Sequence, residues 1–200
     1  MTSREQQRAE TRQRIVAAAV LAFAERGFRG ASTREIALRA DANQGLITYH
    51  FRTKEALWRA AADRLFGELR SRFVQRLSAL AGDDPRASAR EAIREYVRFA
   101  AEHPELFRFM LEAGKSPDDR MQWLVDTHLR PLYERFQRFG QSFGAGFDES
   151  LVPHLYYAMA GAGSVIFAVS PECRRLTGLD PGTKRAIEIH ADLVARLLVP

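Results

Sequence analysis

The chain has 200 residues, of which 46% are hydrophobic and 28% charged, a composition typical of a soluble globular protein with its own core. Its single cysteine, Cys173, excludes an intramolecular disulfide framework and favours a reducing compartment, and five scattered histidines show no metal-ligand spacing. The net charge of +5 is uneven, because residues 1–60 hold eleven Lys or Arg against six Asp or Glu, whereas residues 61–200 hold nineteen of each. The basic excess in the N-terminal part indicates a polyanionic partner there.

Apolar residues recur at helical spacing along almost the whole chain, and strand-like alternation is absent from the sequence. In chain order the predicted helices cover residues 8–26, 33–40, 44–50, 54–80, 89–100, 105–113, 121–139, 149–170 and 181–198. Gly27 is expected to end the first helix in the left-handed conformation and to open a loop that runs to residue 32. A Gly-rich loop is predicted over residues 140–148 and a connecting loop over residues 170–182. The fold class is therefore all-α.

The second and third predicted helices are short and are joined by a turn of three to four residues, which is the spacing of a helix-turn-helix. Thr33 and Asn43 are expected to cap them. The third helix is too short to be stable alone, so neighbouring elements must hold it. The apolar residues available for this are Ile36, Ala37, Ala40, Ile47 and Phe51. The polar residues of the third helix then remain for a partner, and the basic N-terminal excess favours DNA.

Each candidate DNA-binding side chain has a chemistry that suits one part of the duplex. Gln44 can pair bidentately with adenine, and Arg34 can reach guanine O6 and N7. Gly45 permits close approach of the helix N-terminus to a phosphate or a base edge. Leu46 offers an apolar contact to DNA. The residues suited to phosphate oxygens are Thr33, Thr48, Tyr49, His50 and Lys54.

The stretch "RIVAAAVLAFAERGFRGASTREIALRADANQGLITYHFRTKEAL" resembles the N-terminal domain of the tetracycline-repressor-like (TetR/AcrR) transcriptional regulators. The resemblance covers about residues 10–60, and the rest of the chain matches only in helix count and in turns such as "HPELFRFML". It implies a three-helix DNA-binding domain at residues 1–53 and a helical effector-binding and dimerisation domain at residues 54–200. The sequence departs from the family pattern at Asp41, Asn43, Leu46 and Thr48. The family's operator sequence therefore cannot be carried over, and at Leu46 a contact to a thymine methyl is expected instead of a hydrogen bond.

The C-terminal helices predict a homodimer. The helix at residues 149–170 has apolar residues on two sides, and the helix at residues 181–198 carries two apolar stripes. One side of each can face its own core, whereas the other needs a partner. The hypothesis is a symmetric dimer in which these two helices from each subunit form a four-helix interface.

The resemblance also implies a cavity for a small-molecule effector in the C-terminal domain. Aromatic and methionine side chains are frequent between residues 96 and 167, although such residues most often belong to a core. The candidate ligand-binding residues are Phe66, Phe99, His103, Phe107, Met110, Trp123, His128 and Tyr157. His128 lies on an apolar stripe, where a hydrogen-bonded core histidine is the competing interpretation. Pro131 deprives the carbonyl of residue 127 of its helical donor.

The function indicated is a ligand-responsive, sequence-specific transcriptional regulator, a repressor released from a palindromic operator by a small, largely apolar effector. A helical small-molecule carrier or sensor without DNA-binding activity is the alternative. An enzyme is not expected, since no catalytic arrangement or phosphate loop stands out. Neither a cofactor nor a metal is expected, and the location expected is cytoplasmic. Two membrane interpretations are disfavoured: a signal peptide at "IVAAAVLAFAER", and a membrane span at residues 151–170, which lack Asp, Glu, Lys and Arg.

Overall fold

A computed structural model describes residues 3–78, 84–141 and 148–199. These residues form helices and connecting turns without a strand, which confirms the all-α prediction. The helices are α1 (Ser3–Gly30), α2 (Thr33–Arg39), α3 (Gln44–Phe51), α4 (Lys54–Ser78), α5 (Pro85–Glu102), α6 (Pro104–Gly114), α7 (Asp119–Leu124), α8 (Arg130–Gln141), α9 (Val152–Ala168), α10 (Ser170–Thr177) and α11 (Lys184–Leu198). A π-helical turn, Val125–Leu129, separates α7 from α8, and a 3₁₀ turn, Glu149–Leu151, precedes α9.

Packing divides the chain into two compact units. The first consists of Met1–Gly67 with Arg108–Val125, and the second of Glu68–Phe107 with Asp126–Pro200. Helix α4 contributes residues to both units. The division of functional domains at residue 53 is a separate matter from this packing and stays a prediction.

The core of the first unit is built from the apolar sides of α1, α2 and α3. Helix α2 packs against both α1 and α3. Ile15, Phe23 and Ile36 are almost fully buried, and Ile47 and Phe51 of α3 are buried as well. The short helix α3 is thus held by the apolar residues that the sequence pattern assigned to this task.

Helix α1 differs from its predicted form at both ends. It begins at Ser3 instead of residue 8, because Arg, Glu and Gln favour a helix without leaving any apolar period to detect. Gly27 has a φ of 65° and a ψ of −180°, so it interrupts the helix at the predicted place. That ψ lies far from the left-handed helical value, and helical geometry resumes as far as Gly30, so the predicted loop at residues 27–32 is wrong in its first part.

The core of the second unit lies among α5, α9 and α11, which all pack against one another. Its members come from all three helices and are Ile93, Val97, Ala100, Phe167, Ala191, Val194 and Ala195. A Cβ added to Gly163 of α9 would lie 2.8 Å from the Tyr96 ring of α5, so the absence of a side chain sets how closely these helices approach. The buried hydroxyl groups of Tyr96 and Ser164 are hydrogen-bonded to each other at 2.8 Å. The small residues of α9 at this position therefore serve the interior of the subunit.

Two predictions for the second half of the chain are corrected. The single helix expected over residues 121–139 is interrupted by the π-helical turn, which ends at Leu129, two residues before Pro131. A proline ring clashes with the carbonyl four residues earlier in a regular helix, and a wider turn relieves that clash. Much of the connection expected at residues 170–182 is α10, whose only buried residue, Cys173, is too weak a pattern to detect. The Gly-rich loop at residues 140–148 lies mostly outside the described residues.

Candidate nucleic-acid interface

Helices α2 and α3 form the predicted helix-turn-helix, and their ends are fixed by local hydrogen bonds. The Ser32 hydroxyl accepts from the Glu35 N–H at 3.0 Å, so Ser32 caps α2 and the prediction of Thr33 as the cap is wrong by one residue. The Asn43 side chain accepts from the Leu46 N–H at 3.0 Å, which confirms Asn43 as the cap of α3. Between them Asp41 has a φ of 48°, a left-handed conformation that Asp tolerates better than most residues. The turn therefore forms with an aspartate at this position.

One side of α3 is polar and exposed. Gln44, Gly45, Thr48 and Tyr49 are exposed, while Leu46 and His50 are half-buried. The Gln44 Nε2 donates to the Thr33 Oγ1 at 3.4 Å, which orients the amide at the helix N-terminus. That amide has a second N–H and an acceptor oxygen, the pair of groups that adenine requires. On α2, Arg34 is exposed as well.

Gly45 has one intramolecular neighbour that an added side chain would press on. An added Cβ would meet a single atom within 4 Å, the Asn43 Oδ1 at 3.1 Å. Its φ lies outside the left-handed region, so no backbone strain requires glycine here. An exposed helical glycine normally lowers stability, so room for the Asn43 cap and close approach of a partner are the two reasons for glycine here.

The first turns of α1 bring arginines to α3 that sequence reasoning did not single out. The guanidinium of Arg8 lies 4.9 Å from the ring centroid of Tyr49, and that of Arg12 lies 5.1 Å from the ring centroid of Phe51. Burial, followed by the positive charges of Arg8 and Arg12, lowers the pKa of the His50 imidazole. The i, i+4 spacing of Arg4, Arg8 and Arg12 is visible in the sequence and could have indicated this grouping.

Lys54, predicted to contact phosphate, lies beside Phe28 at the start of α4. Its Nζ is 4.8 Å from the Phe28 ring centroid and donates to the Arg29 carbonyl at 3.5 Å. The guanidinium of Arg120, from α7, lies 3.7 Å from the same ring. Burial, followed by the charge of Arg120, lowers the pKa of the Lys54 ammonium. Segment Arg108–Val125 therefore contacts the neighbourhood of a candidate DNA-binding residue inside the first unit.

The predicted ligand-binding residues fall in both units. Phe66, Met110 and Trp123 belong to the first unit, and Phe99, His103, Phe107, His128 and Tyr157 to the second. Their exposure differs widely: His128 is 4% exposed and lies in the π-helical turn, whereas Tyr157 is 72% exposed on α9. The low exposure of His128 suits both a core residue and an effector contact, and the ring of Tyr157 is not enclosed within its own unit. The assignment of these residues stays a prediction.

His103 lies among polar and aromatic side chains. Its ring stacks on Phe99 with centroids 4.4 Å apart, and its Nδ1 lies 3.2 Å from the Glu105 carboxylate. Its Nε2 lies 3.8 Å from the Glu68 carboxylate. Within residues 3–78, 84–141 and 148–199, no group of three or more His, Cys, Asp or Glu could hold a metal ion.

Helices α9 and α11 leave an apolar surface uncovered. On α11, Ile189, Leu193 and Leu197 are 58%, 51% and 69% exposed, although Ala191 and Val194 of the same helix are buried. On α9, Val165 is exposed beside the small residues Ala158 and Ala162. Each helix thus has one stripe in the core and one outside it, as the two-sided pattern predicted.

The segment Glu149–Ala168 has the length and composition of a membrane span, and 28% of its most apolar 18 residues is buried. Its buried residues, among them Gly163 and Phe167, pack on α5 and in the core of the second unit. A membrane-spanning helix and a core helix of a soluble protein share this composition.

The geometry of α2 and α3, with a polar exposed side on a buried apolar frame in the basic part of the chain, defines a DNA-binding protein of the helix-turn-helix class. Residues 15–61 match the family model described as bacterial regulatory proteins, tetR family. The N-terminal part of the chain therefore carries the DNA-binding domain that this family model describes, and the chain is a DNA-binding transcriptional regulator.

Relatives agree with this assignment. The transcriptional repressor NicS of Pseudomonas putida is 28% identical over 166 residues, which span 78% of this chain and 76% of NicS. Among solved structures, the fatty acid degradation regulator FadR from Bacillus halodurans is 16% identical with a TM-score of 0.73, and the superposition covers 94% of this chain and 97% of FadR. FadR from Bacillus subtilis, solved in complex with stearoyl-CoA, is 18% identical with a TM-score of 0.69, at 94% and 97% coverage. At these identities the two structures establish the fold alone.

Proposed function

We propose that this regulator is a repressor that binds a palindromic operator as a homodimer and leaves it when a small, largely apolar effector binds the C-terminal domain. The observation that carries the proposal is the exposed polar side of α3, which is held on a buried apolar frame. A helix with such an exposed polar side fits into the major groove of DNA and can hydrogen-bond to the base edges there. NicS, which is named a repressor, supports repression as the sign of regulation.

Base reading is assigned to the N-termini of the two short helices. Gln44 reads adenine through its amide, and Arg34 reads guanine from α2. Gly45 lets the helix backbone approach, and Leu46 contacts a thymine methyl. The residues assigned to phosphates, which position the protein without reading sequence, are Thr33, Thr48, Tyr49, His50 and Lys54.

The dimer is assigned to α9 and α11. The exposed apolar stripe of α11 consists of Ile189, Leu193 and Leu197. Helix α9 also exposes small and branched apolar residues. Burying such a stripe against its two-fold copy removes apolar area from water without new polar groups. A two-fold dimer presents two α3 helices, so the operator has two half-sites in inverted order.

The effector acts by shifting a population. A ligand that binds one conformation of the dimer better than another favours that conformation, and release requires one in which the two α3 helices no longer match successive major grooves. Helix α4 is the proposed lever because it contributes to both units. His128 in the π-helical turn is the proposed polar contact, since such turns are frequent at functional sites. The stearoyl-CoA in FadR supports an apolar effector class only by structural likeness.

The protein is proposed to be a cytoplasmic regulator without enzymatic activity of its own. The uncovered side of α9 is assigned to the dimer and not to a membrane, because α11 also exposes an apolar stripe and the two helices together can form one interface. Behaviour of the purified chain without detergent distinguishes the two assignments. A chain that requires detergent to stay in solution would favour the membrane.

The test of DNA reading is selection of bound duplexes from a random pool, followed by affinity measurement on the selected operator and on random DNA. We expect Gln44→Ala to relax base preference at one operator position, whereas Lys54→Ala should weaken binding to both DNAs by the same factor. Gln44 is exposed, so Gln44→Ala should unfold at the wild-type temperature. Lys54 also packs on Phe28, so the unfolding of Lys54→Ala is measured as well and both affinities are taken below its unfolding transition. Equal losses on both DNAs for Gln44→Ala would contradict its reading role.

The alternative, a helical carrier without DNA-binding activity, predicts a different result. A carrier would yield no enriched sequence and no steep salt dependence of DNA retention. A regulator that makes several phosphate contacts loses affinity steeply with salt, with a slope of about −0.9 per contact in a logarithmic plot. A screen of apolar compounds for release of the selected operator then tests the effector.

A further inference from the structure

The first turns of α1 form a helix that contributes nothing to the core. From Ser3 to Arg14 every residue is exposed except the half-buried Thr11, and the core begins at Ile15. A helix of about twelve residues is marginal in water without tertiary contacts. We define Ser3–Arg14 as the N-terminal extension. Its surface is not needed by the core and is therefore available to a partner.

The extension carries an arginine stripe on the side of α3. Arg4, Arg8 and Arg12 are spaced by four residues and so share one side of the helix. The contacts of Arg8 with Tyr49 and of Arg12 with Phe51 show that this side faces α3. Glu10 lies on the opposite side of the helix by its spacing, and Glu5 borders the stripe. The stripe is thus continuous with the exposed polar side of α3, where Tyr49 stands.

The geometry limits where on a duplex the stripe can bind. An α-helix with side chains is about 10–12 Å across, whereas the minor groove of B-DNA is about 6 Å wide. A helical extension cannot enter that groove, and the adjacent major groove is assigned to α3. The sugar-phosphate backbone beside the major groove is the remaining surface, and guanidinium groups match phosphate oxygens in charge and shape.

We propose that the arginine stripe of the N-terminal extension binds the DNA phosphates that flank the bases read by α3. The proposal rests on the proposed DNA-binding function and adds to it a second contact surface outside the helix-turn-helix. Arg4 and Arg8 bind the phosphates, and Arg12, against the buried Phe51, holds the extension beside α3. The stripe adds affinity and alignment without reading sequence.

The test compares the salt dependence of DNA binding between matched double variants. Arg4→Gln with Arg8→Gln removes two charges from the stripe. Arg135→Gln with Arg138→Gln removes two charges from exposed positions on α8 and is the control. Fluorescence anisotropy is measured on the selected operator and on a random duplex of equal length, at several salt concentrations.

We expect the stripe variant to lower the magnitude of the logarithmic salt slope by about 3.6, since each subunit of the dimer loses two phosphate contacts and each lost contact removes about 0.9. The loss of affinity should be the same on operator and random DNA, and the control variant should behave as the wild type. An unchanged slope, or a loss confined to the operator, would overturn the proposal. Thermal unfolding should not change, because both arginines are exposed.

Arg4→Lys with Arg8→Lys separates charge from stacking. Lysine keeps the positive charge, so phosphate binding predicts a slope like that of the wild type. A slope as low as that of the glutamine variant would mean that Arg8 acts by positioning Tyr49, and would overturn the phosphate contact. A wild-type protein that binds no DNA would instead refute the proposed function, so the two failures are distinguishable.

Discussion

Helices α3 and α9 both leave one side uncovered, but the two sides differ in chemistry. The uncovered side of α3 carries Gln44, Thr48 and Tyr49, in the part of the chain that holds the whole positive excess. The uncovered side of α9 carries Ala158, Ala162 and Val165, in a part without net charge. A polar side held on an apolar frame suits a hydrated, charged groove, whereas an apolar side suits a second protein surface. The chemistry of the exposed side, and not exposure alone, indicates the partner.

The largest expected effect comes from charging the apolar surface. Ile189→Asp with Leu193→Asp places two carboxylates in the proposed four-helix interface, where they would lose hydration without gaining partners. Light scattering should show a monomer where the wild type is a dimer. Operator affinity should fall by roughly 100-fold, because the second half-site is no longer tethered to the first.

Leu111→Asp is the control for this change, since Leu111 is an exposed apolar residue on α6. We expect it to remain dimeric. A dimer that survives the double substitution would contradict the assignment of the apolar surface of α9 and α11 to the dimer interface. A wild type that is monomeric at micromolar concentration would contradict it as well.

A matched pair of glycines sharpens the comparison. Gly163→Ala should lower stability by about 1–3 kcal/mol, because its Cβ would lie 2.8 Å from the buried Tyr96 ring. Gly45→Ala should change thermal stability by no more than about 1 kcal/mol, because alanine favours a helix whereas its Cβ would press on the Asn43 cap oxygen at 3.1 Å. The same Gly45→Ala variant should bind the operator more weakly. Wild-type affinity for this variant would remove the argument for close backbone approach at α3.

The junction between α3 and α4 provides a smaller effect. Arg52 has a φ of 61° and a ψ of −50°, and the Thr53 N–H donates to the Phe51 carbonyl at 2.6 Å, which is a strained γ-turn. Arg52→Gly should raise the free energy of unfolding by about 1 kcal/mol relative to Arg52→Ala. Both variants remove the same charge, so any difference between them in chemical denaturation reports the backbone. Equal stabilities would mean that the turn is not strained.

The smallest effect is a pH dependence at His50. The pKa of His50 is lowered in the fold, so the folded protein binds fewer protons than the unfolded chain just below the ordinary value of about 6.5. Stability should therefore be highest above this pH and fall as the pH decreases through it. Phosphate beside the ring would favour the charged form of the imidazole. DNA affinity should therefore rise slightly as the pH decreases over the same interval. His50→Gln should remove both dependences in thermal unfolding and anisotropy measurements, and their persistence would assign them to another group.

Sequence reasoning was accurate for most helices with a strong apolar period and for the Asn43 cap, whereas it was wrong for the unbroken helix over residues 121–139 and for the Thr33 cap. The two short helices, the Asn43 cap and the two stripes of α11 follow from side-chain spacing alone. The start of α1 and helix α10 were missed because a helix with little or no buried side leaves no period in the sequence. The π-helical turn was missed because a helix can relieve the clash between a proline ring and a carbonyl in more than one way.

By itself, the sequence determined the class of fold, the helix-turn-helix and the location of the positive charge, because all three depend on local spacing and composition. Only the tertiary structure decided which of two apolar stripes is buried, as for Gly163 against Tyr96 and Ile189 at the surface. Only the tertiary structure also brought Arg8 to Tyr49 and Arg120 to Phe28. These contacts join residues that are distant in the chain. The pattern of residues along a sequence does not give the distance between two helices, so it could not predict them.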